Sequence, residues 1–222
     1  MPGGAAAIRE PWRMAAGCLL EYFGREAFEK RVPFIEQLDG RQAETILRMV
    51  ERGVNTPKTS SCGRLFDAVA ALAGLGRSVT YEAQAAIALE MCFEPGPADG
   101  YAFHLSDGAM PRQIDCRPMF EALLEDLARG TSVGAISRRF HNGLAEVLCA
   151  TAKRLWDETG LERVCLSGGC FQNAYLFETL AARLAAAGFA VFTHAEVPAG
   201  DGGLALGQAL VAAHRADASR GD

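Results

Sequence analysis

The stretch Leu166-Ser167-Gly168-Gly169-Cys170-Phe171-Gln172-Asn173 concentrates residue types that suit ligand binding. A β run that enters two glycines ahead of a helix lets backbone N–H groups come close to a ligand. The helix start adds a field that favours phosphate or another anion. Asn173 stands where it can cap that helix or reach a ribose or base. A second loop of the same kind, Pro198-Ala199-Gly200-Asp201-Gly202-Gly203, again follows a β run and precedes a helix. Asp201 can give carboxylate oxygens to a metal or serve as the helix N-cap, and on local sequence the cap is the simpler reading.

Two acidic residues in the first half offer ribose-type recognition. In Thr59-Ser60-Ser61-Cys62-Gly63-Arg64-Leu65-Phe66-Asp67 the apolar helix face is Leu65, Phe66, Val69 and Leu72. Asp67 is therefore expected off that face, where it can accept from sugar hydroxyls or pair with Arg64 at i,i+3 spacing. Glu82, in Tyr81-Glu82-Ala83-Gln84, is either a first-turn acid or a second hydroxyl acceptor. His104, His141, His194 and His214 form no H-x-x-x-H or H-E-x-x-H pair, so the chain has no self-contained metal motif. His141, beside Arg138-Arg139, reads as a surface or packing residue. Cys170 sits at a helix start with no base close in sequence, which argues against a nucleophile.

The elements that must hold these residues follow from periodicity and breakers. Helices are expected from Pro11 to Phe23, from Arg41 to Arg52 with Gly53 as C-terminal cap, from Gly63 to about Leu75 behind a Ser60 or Ser61 cap, and from Thr80 to Phe93. Pro95 to Gly100 breaks the pattern. A short hairpin is expected between Tyr101 and Ile114. Phe120–Arg129 is amphipathic, and Thr131-Ser132 open a long helix to Thr159. From Arg163 the pattern changes to strand, helix (Asn173–Ala187), strand (Phe189–Thr193) and helix (Asp201–Ala216). Such a βαβα order implies parallel pairing. Residues 1–160 thus read as mainly helical and 161–222 as the segment carrying the glycine loops.

Composition limits the rest. The 222 residues are half hydrophobic, enough for a sizeable core and too much for general disorder. Lys plus Arg number 22 against 27 Asp plus Glu, a net charge of −5, which gives no broad footprint for nucleic acid. No apolar run approaches the roughly 18 residues of a membrane span. The first residues lack the charged and apolar pattern of a secretory signal. Seven scattered cysteines with no C-x-x-C read as reduced thiols of a cytoplasmic protein rather than a disulfide frame or zinc site.

Taken together and in order, REPWRMA, TSSCGRLFDAVAALAGL, VTYEAQAAIALE, ISRRFHNGLAEVL, VCLSGGCFQNAYL and PAGDGGLALGQ resemble the C-terminal part of HypF, the carbamoyltransferase family of [NiFe]-hydrogenase maturation. The likeness spans nearly the whole chain. It extends more loosely to threonylcarbamoyl-transfer enzymes and O-carbamoyltransferases. The fold it implies is α/β, a nucleotide-binding lobe of the actin/hexokinase/Hsp70 (ASKHA) class.

The resemblance further implies use of ATP and carbamoyl phosphate to form carbamoyl-adenylate. The carbamoyl group would then pass to the C-terminal cysteine of a HypE-like partner. By the same resemblance Gly63, Asp67, Glu82, Gly168, Gly169 and Asn173 would bind the nucleotide, and Asp201 would ligate a divalent metal, Mg or Fe. Ala83 departs from the family's YEGQAA, and Cys62 stands where Met or Ala is more usual. The family's H-x-x-x-H histidines, acylphosphatase-like region, zinc-finger cysteines and adenylate-forming domain have no counterpart in these residues. The expectation is therefore a chain inactive by itself and active with those N-terminal HypF regions. Alternatives are a non-catalytic nucleotide-binding remnant or assembly module, another ASKHA transferase, or a sugar kinase.

Overall fold

The structure, a computed structural model, describes residues 1–107 and 111–218. In chain order the helices are α1 (Ala6–Arg9), α2 (Pro11–Phe23), α3 (Pro33–Glu36), α4 (Gly40–Arg52), α5 (Cys62–Leu72), α6 (Gln84–Met91), α7 (Arg117–Ala128), α8 (Val133–Thr159), α9 (Ala174–Ala186) and α10 (Leu204–Ala218). The strands are β1 (His104–Leu105), β2 (Ile114–Asp115), β3 (Arg163–Leu166) and β4 (Ala190–Thr193). Short 3-10 turns cover Arg25–Glu29, Gly169–Gln172 and Asp201–Gly203. The chain divides into two compact units, Met1–Leu148 and Cys149–Asp222, with the division inside α8.

The first unit is helical. Pro11 starts α2 at the position where its missing N–H costs nothing. Asp39 and Ser61 cap α4 and α5 by accepting from Arg41 N and Arg64 N. Gly53 ends α4 in the left-handed region, φ 64°, as the sequence predicts. Helix α5 packs on both α2 and α6. Every residue from Phe66 to Leu72 is buried, so α5 has no wet face there. Phe66 meets Phe140 edge-on at 4.9 Å between centroids, and His141 lies against both rings. His141 is fully buried, Nδ1 lies 2.7 Å from Ser137 O, and burial lowers its pKa. It is a packing residue.

The segment ahead of the hairpin differs from its expected form. Tyr101 is buried rather than on an alternating strand. Its N–H donates to Arg139 O, and its hydroxyl donates to Asp126 Oδ2 at 2.7 Å. Arg139 pairs with Asp126 and Asp99 and stacks over the Tyr101 ring. This brings the chain so close to α8 that a Cβ on Gly143 would collide with the Tyr101 backbone. The hairpin itself is short and antiparallel, with Leu105 opposite Ile114. Its tip, at 108–110, lies outside the described residues.

In the second unit, β3 and β4 pair in parallel, Arg163 opposite Ala190 and Leu166 opposite Thr193. Helix α9 buries Leu176, Leu180 and Leu184, and Trp156 packs at a tilt against Phe189, 4.8 Å between ring centroids. Strand–helix–strand–helix is therefore realised as expected, and its parallel register sends both following loops out at the same end.

Candidate functional site

The two glycine loops leave the carboxyl ends of neighbouring parallel strands, the place where open α/β sheets hold ligands. Gly168 takes φ 106° and ψ 159°, a conformation open essentially to glycine alone. Its N–H donates to Ala199 O at 2.8 Å, which ties the first loop to the second. A Cβ at Gly168 or Gly169 would meet nothing within 4 Å, so both backbones face open space. The loops and α10 enclose a groove of about 690 Å³, within the size range of small-molecule sites. Gly168, Gly200 and Asp201 line it, with Ser167, His194 and Arg215.

Asp201 is exposed and begins the 3-10 turn ahead of α10, so it is not the N-cap of that helix. The cap reading fails because Asp201–Gly203 form their own turn before the α-helix begins at Leu204. Among the described residues no group of three or more His, Cys, Asp or Glu is placed to hold a metal. Asp201 thus offers one carboxylate and not a complete shell, and a divalent ion in this groove would need further ligands from elsewhere. Asn173 is buried and caps α9, its Oδ1 accepting from Leu176 N at 2.8 Å.

In the first unit, Gly63 and Asp67 lie one turn apart on α5. Asp67 is only 3% exposed, because α5 is enclosed on all sides where the amphipathic reading expects an outward residue. Its Oδ2 lies 2.6 Å from Arg64 Nη1, and neither atom has a partner in hydrogen-bond geometry among the described residues. Burial pushes the Asp67 carboxyl up to about 6, with Arg64 pulling the other way. Desolvation is the larger effect.

Glu82 is exposed and lies in the turn before α6, not in its first helical turn. The helix begins late because Ala83 sits left-handed at φ 62°, ψ 8°, and Gln84 Oε1 folds back to accept from Thr80 N at 2.7 Å. The Ala83 backbone is one that glycine adopts without strain.

Ser167 and His194 are groove residues that motif reading passes over. Their signal is positional: each directly follows the last residue of a parallel strand, and the register places them side by side.

Comparisons with known proteins identify the family and the fold. A family model described as "Carbamoyltransferase, Kae1-like Domain, second subdomain" matches residues 1–208. The carbamoyltransferase HypF2 of Cupriavidus necator is 37% identical over 240 residues, covering 97% of this chain and 29% of the relative. A carbamoyltransferase HypF homolog of the same organism is 37% identical, over 99% of this chain and 56% of its own length. The crystal structure of full-length HypF in the phosphate- and nucleotide-bound form aligns with a TM-score of 0.88 at 37% identity, covering 96% of this chain and 32% of that one. This chain therefore spans between about a third and just over half of these relatives. The chain belongs to the HypF family of carbamoyltransferases, where it corresponds to the second subdomain of the Kae1-like domain.

Proposed function

We propose that the chain supplies the nucleotide-holding part of a carbamoyltransferase. That enzyme forms carbamoyl-adenylate from ATP and carbamoyl phosphate and passes the carbamoyl group to the C-terminal cysteine of a HypE-like protein, in the cytoplasm, for hydrogenase maturation. The observation that carries this reading is the Gly168 loop, whose backbone conformation only glycine permits and whose open side faces the groove. Gly168 and Gly169 bring the main chain against the adenylate without a side chain between them. Asn173 contributes by fixing the start of α9, and Gly63 through its place in the first turn of α5. Glu82 presents an exposed carboxylate to a ribose.

Asp67 accepts ribose hydroxyls only after Arg64 swings aside, since the pair now encloses it. Once freed, the carboxylate would exchange a poorly aligned ion pair for aligned hydrogen bonds. A bound metal would polarise the carbamoyl oxygen or offset phosphate charge. This chain's share of its ligation is Asp201. The single carboxylate favours a chain that does not catalyse transfer by itself, and a non-catalytic nucleotide-binding module remains the second reading on the same ground.

Calorimetric titration with AMP, with the rest of a HypF supplied, tests the assignment. Asp67→Ala is expected to weaken binding by about tenfold, the scale of one charged hydrogen bond. Unchanged affinity would remove Asp67 from the site. Incubating the chain alone with HypE, carbamoyl phosphate, ATP and Mg²⁺ is expected to leave the HypE thiol unmodified. Carbamoylation there would overturn the dependence on other regions.

A further inference from the structure

The parallel register that builds the groove also builds a side-chain pair that the glycine loops do not explain. Leu166 is opposite Thr193, so the next residues, Ser167 and His194, leave the sheet together. His194 Nε2 lies 2.9 Å from Ser167 Oγ, a good hydrogen bond, and both side chains are exposed on the groove wall. The other contact of Ser167 Oγ, to Ala199 O, is 3.5 Å and weak. Ala199 O already takes the Gly168 N–H at 2.8 Å. If Nε2–H donates to Oγ, the serine proton has no strong acceptor among the described residues and is left for a ligand in the groove. Arg215, on α10, brings a permanent positive charge and a fork of donors to the same cavity.

We propose that Ser167, His194 and Arg215 form a phosphate-recognition cluster in this groove: His194 orients the Ser167 hydroxyl, and Ser167 and Arg215 contact the phosphate oxygens. The inference rests on the nucleotide reading of the groove and names the residues that would read the nucleotide's charged end. Ser167, at the end of β3, and Arg215, on α10, both line this open cavity, and a hydroxyl and a guanidinium together suit a charged phosphate better than a neutral amide or sugar. Asp201 lines the same groove and would repel a bare anion, a repulsion that a divalent cation held in part by its carboxylate would offset. His194 acts through Ser167 and is a positioning residue.

The test is calorimetry on the full chain with Mg²⁺, using AMP, adenosine and inorganic pyrophosphate as probes. AMP is expected to bind about tenfold more tightly than adenosine. Ser167→Ala and Arg215→Ala are each expected to weaken AMP by about three- to tenfold and leave adenosine unchanged, with Ser167→Thr restoring the parent value. His194→Ala is expected to weaken AMP by about threefold in the parent and to have no effect in the Ser167→Ala background, which separates positioning from direct contact. Pyrophosphate is expected to bind and to lose affinity in the same two variants.

Equal binding of AMP and adenosine would overturn the proposal, as would variants that weaken both alike. Failure of adenosine and AMP alongside pyrophosphate binding that depends on Ser167 would sink the nucleoside reading and leave the phosphate cluster standing. Binding of neither pyrophosphate nor AMP would sink the cluster itself.

Discussion

Two of the three carboxylates singled out for chemistry, Asp67 and Asp201, stand in opposite surroundings. Asp67, in the first unit, is enclosed within a helix buried on all sides, against a single arginine. Asp201, in the second, is exposed on a loop beside an open groove. The units differ in the same way. The first fills its core with Trp12, Leu19, Phe66, Phe120 and Phe140, whereas the second leaves Leu161, Phe192, Leu204, Leu206, Leu210 and Val211 well exposed. A buried carboxylate is tuned by desolvation and must be uncovered before it binds. A loop carboxylate is ready to bind but needs other groups to complete its site.

That contrast can be broken at the packed unit first. Gly143→Ala places a methyl group against the Tyr101 backbone, where neither chain can give. Denaturant unfolding should show a loss of about 3 kcal/mol. A loss below about 1 kcal/mol would mean that the Gly100–Tyr101 crossing of α8 is looser than described.

The Asp67 carboxyl sharpens the comparison through pH. Its folded pKa, about 6, lies above the ordinary value of 3.8, so the folded state holds the proton more tightly than the unfolded chain does. Its contribution therefore favours folding below about pH 4 and is lost as pH rises through about 6, then stays constant. Asp67→Asn should remove this slope, a difference of about 1 to 2 kcal/mol between pH 4 and pH 7 after allowance for screening. Parallel stability curves for parent and variant would show that Asp67 is solvated.

In the open unit the expected changes are smaller. Asn173→Ala removes the α9 cap and should cost about 1 kcal/mol, with Asn173→Ser recovering most of it. The smallest change expected is in the packed unit, where Ala83→Gly relieves a left-handed backbone and should stabilise the chain by about 0.5 to 1 kcal/mol in thermal melts. A destabilising Ala83→Gly would show that the turn before α6 is relaxed with alanine.

Much of this was legible in the residues. Ser61, Gly53 and Asn173 announce their helix ends because caps are local chemistry, and the order of strands and helices after Arg163 announces parallel pairing. Asp67 misleads because periodicity assumes one wet face, and α5 has none beyond Leu65. Glu82 misleads because nothing in Tyr81-Glu82-Ala83-Gln84 marks a left-handed alanine. The Tyr101–Gly143 crossing and the Ser167–His194 pair depend on contacts between residues more than 25 positions apart, which no local pattern encodes.

The chain belongs to the HypF family, and its proposed role is to hold the nucleotide for the transferase. The direct measurement is mass spectrometry of the HypE C-terminal cysteine after incubation with ATP, carbamoyl phosphate, Mg²⁺ and a HypF from which the corresponding region has been deleted. Adding this chain is predicted to restore one carbamoyl group on the thiol, and adding the Gly168→Ala chain is predicted to restore far less. No carbamoylation with the parent chain, or equal carbamoylation with both, would contradict the account.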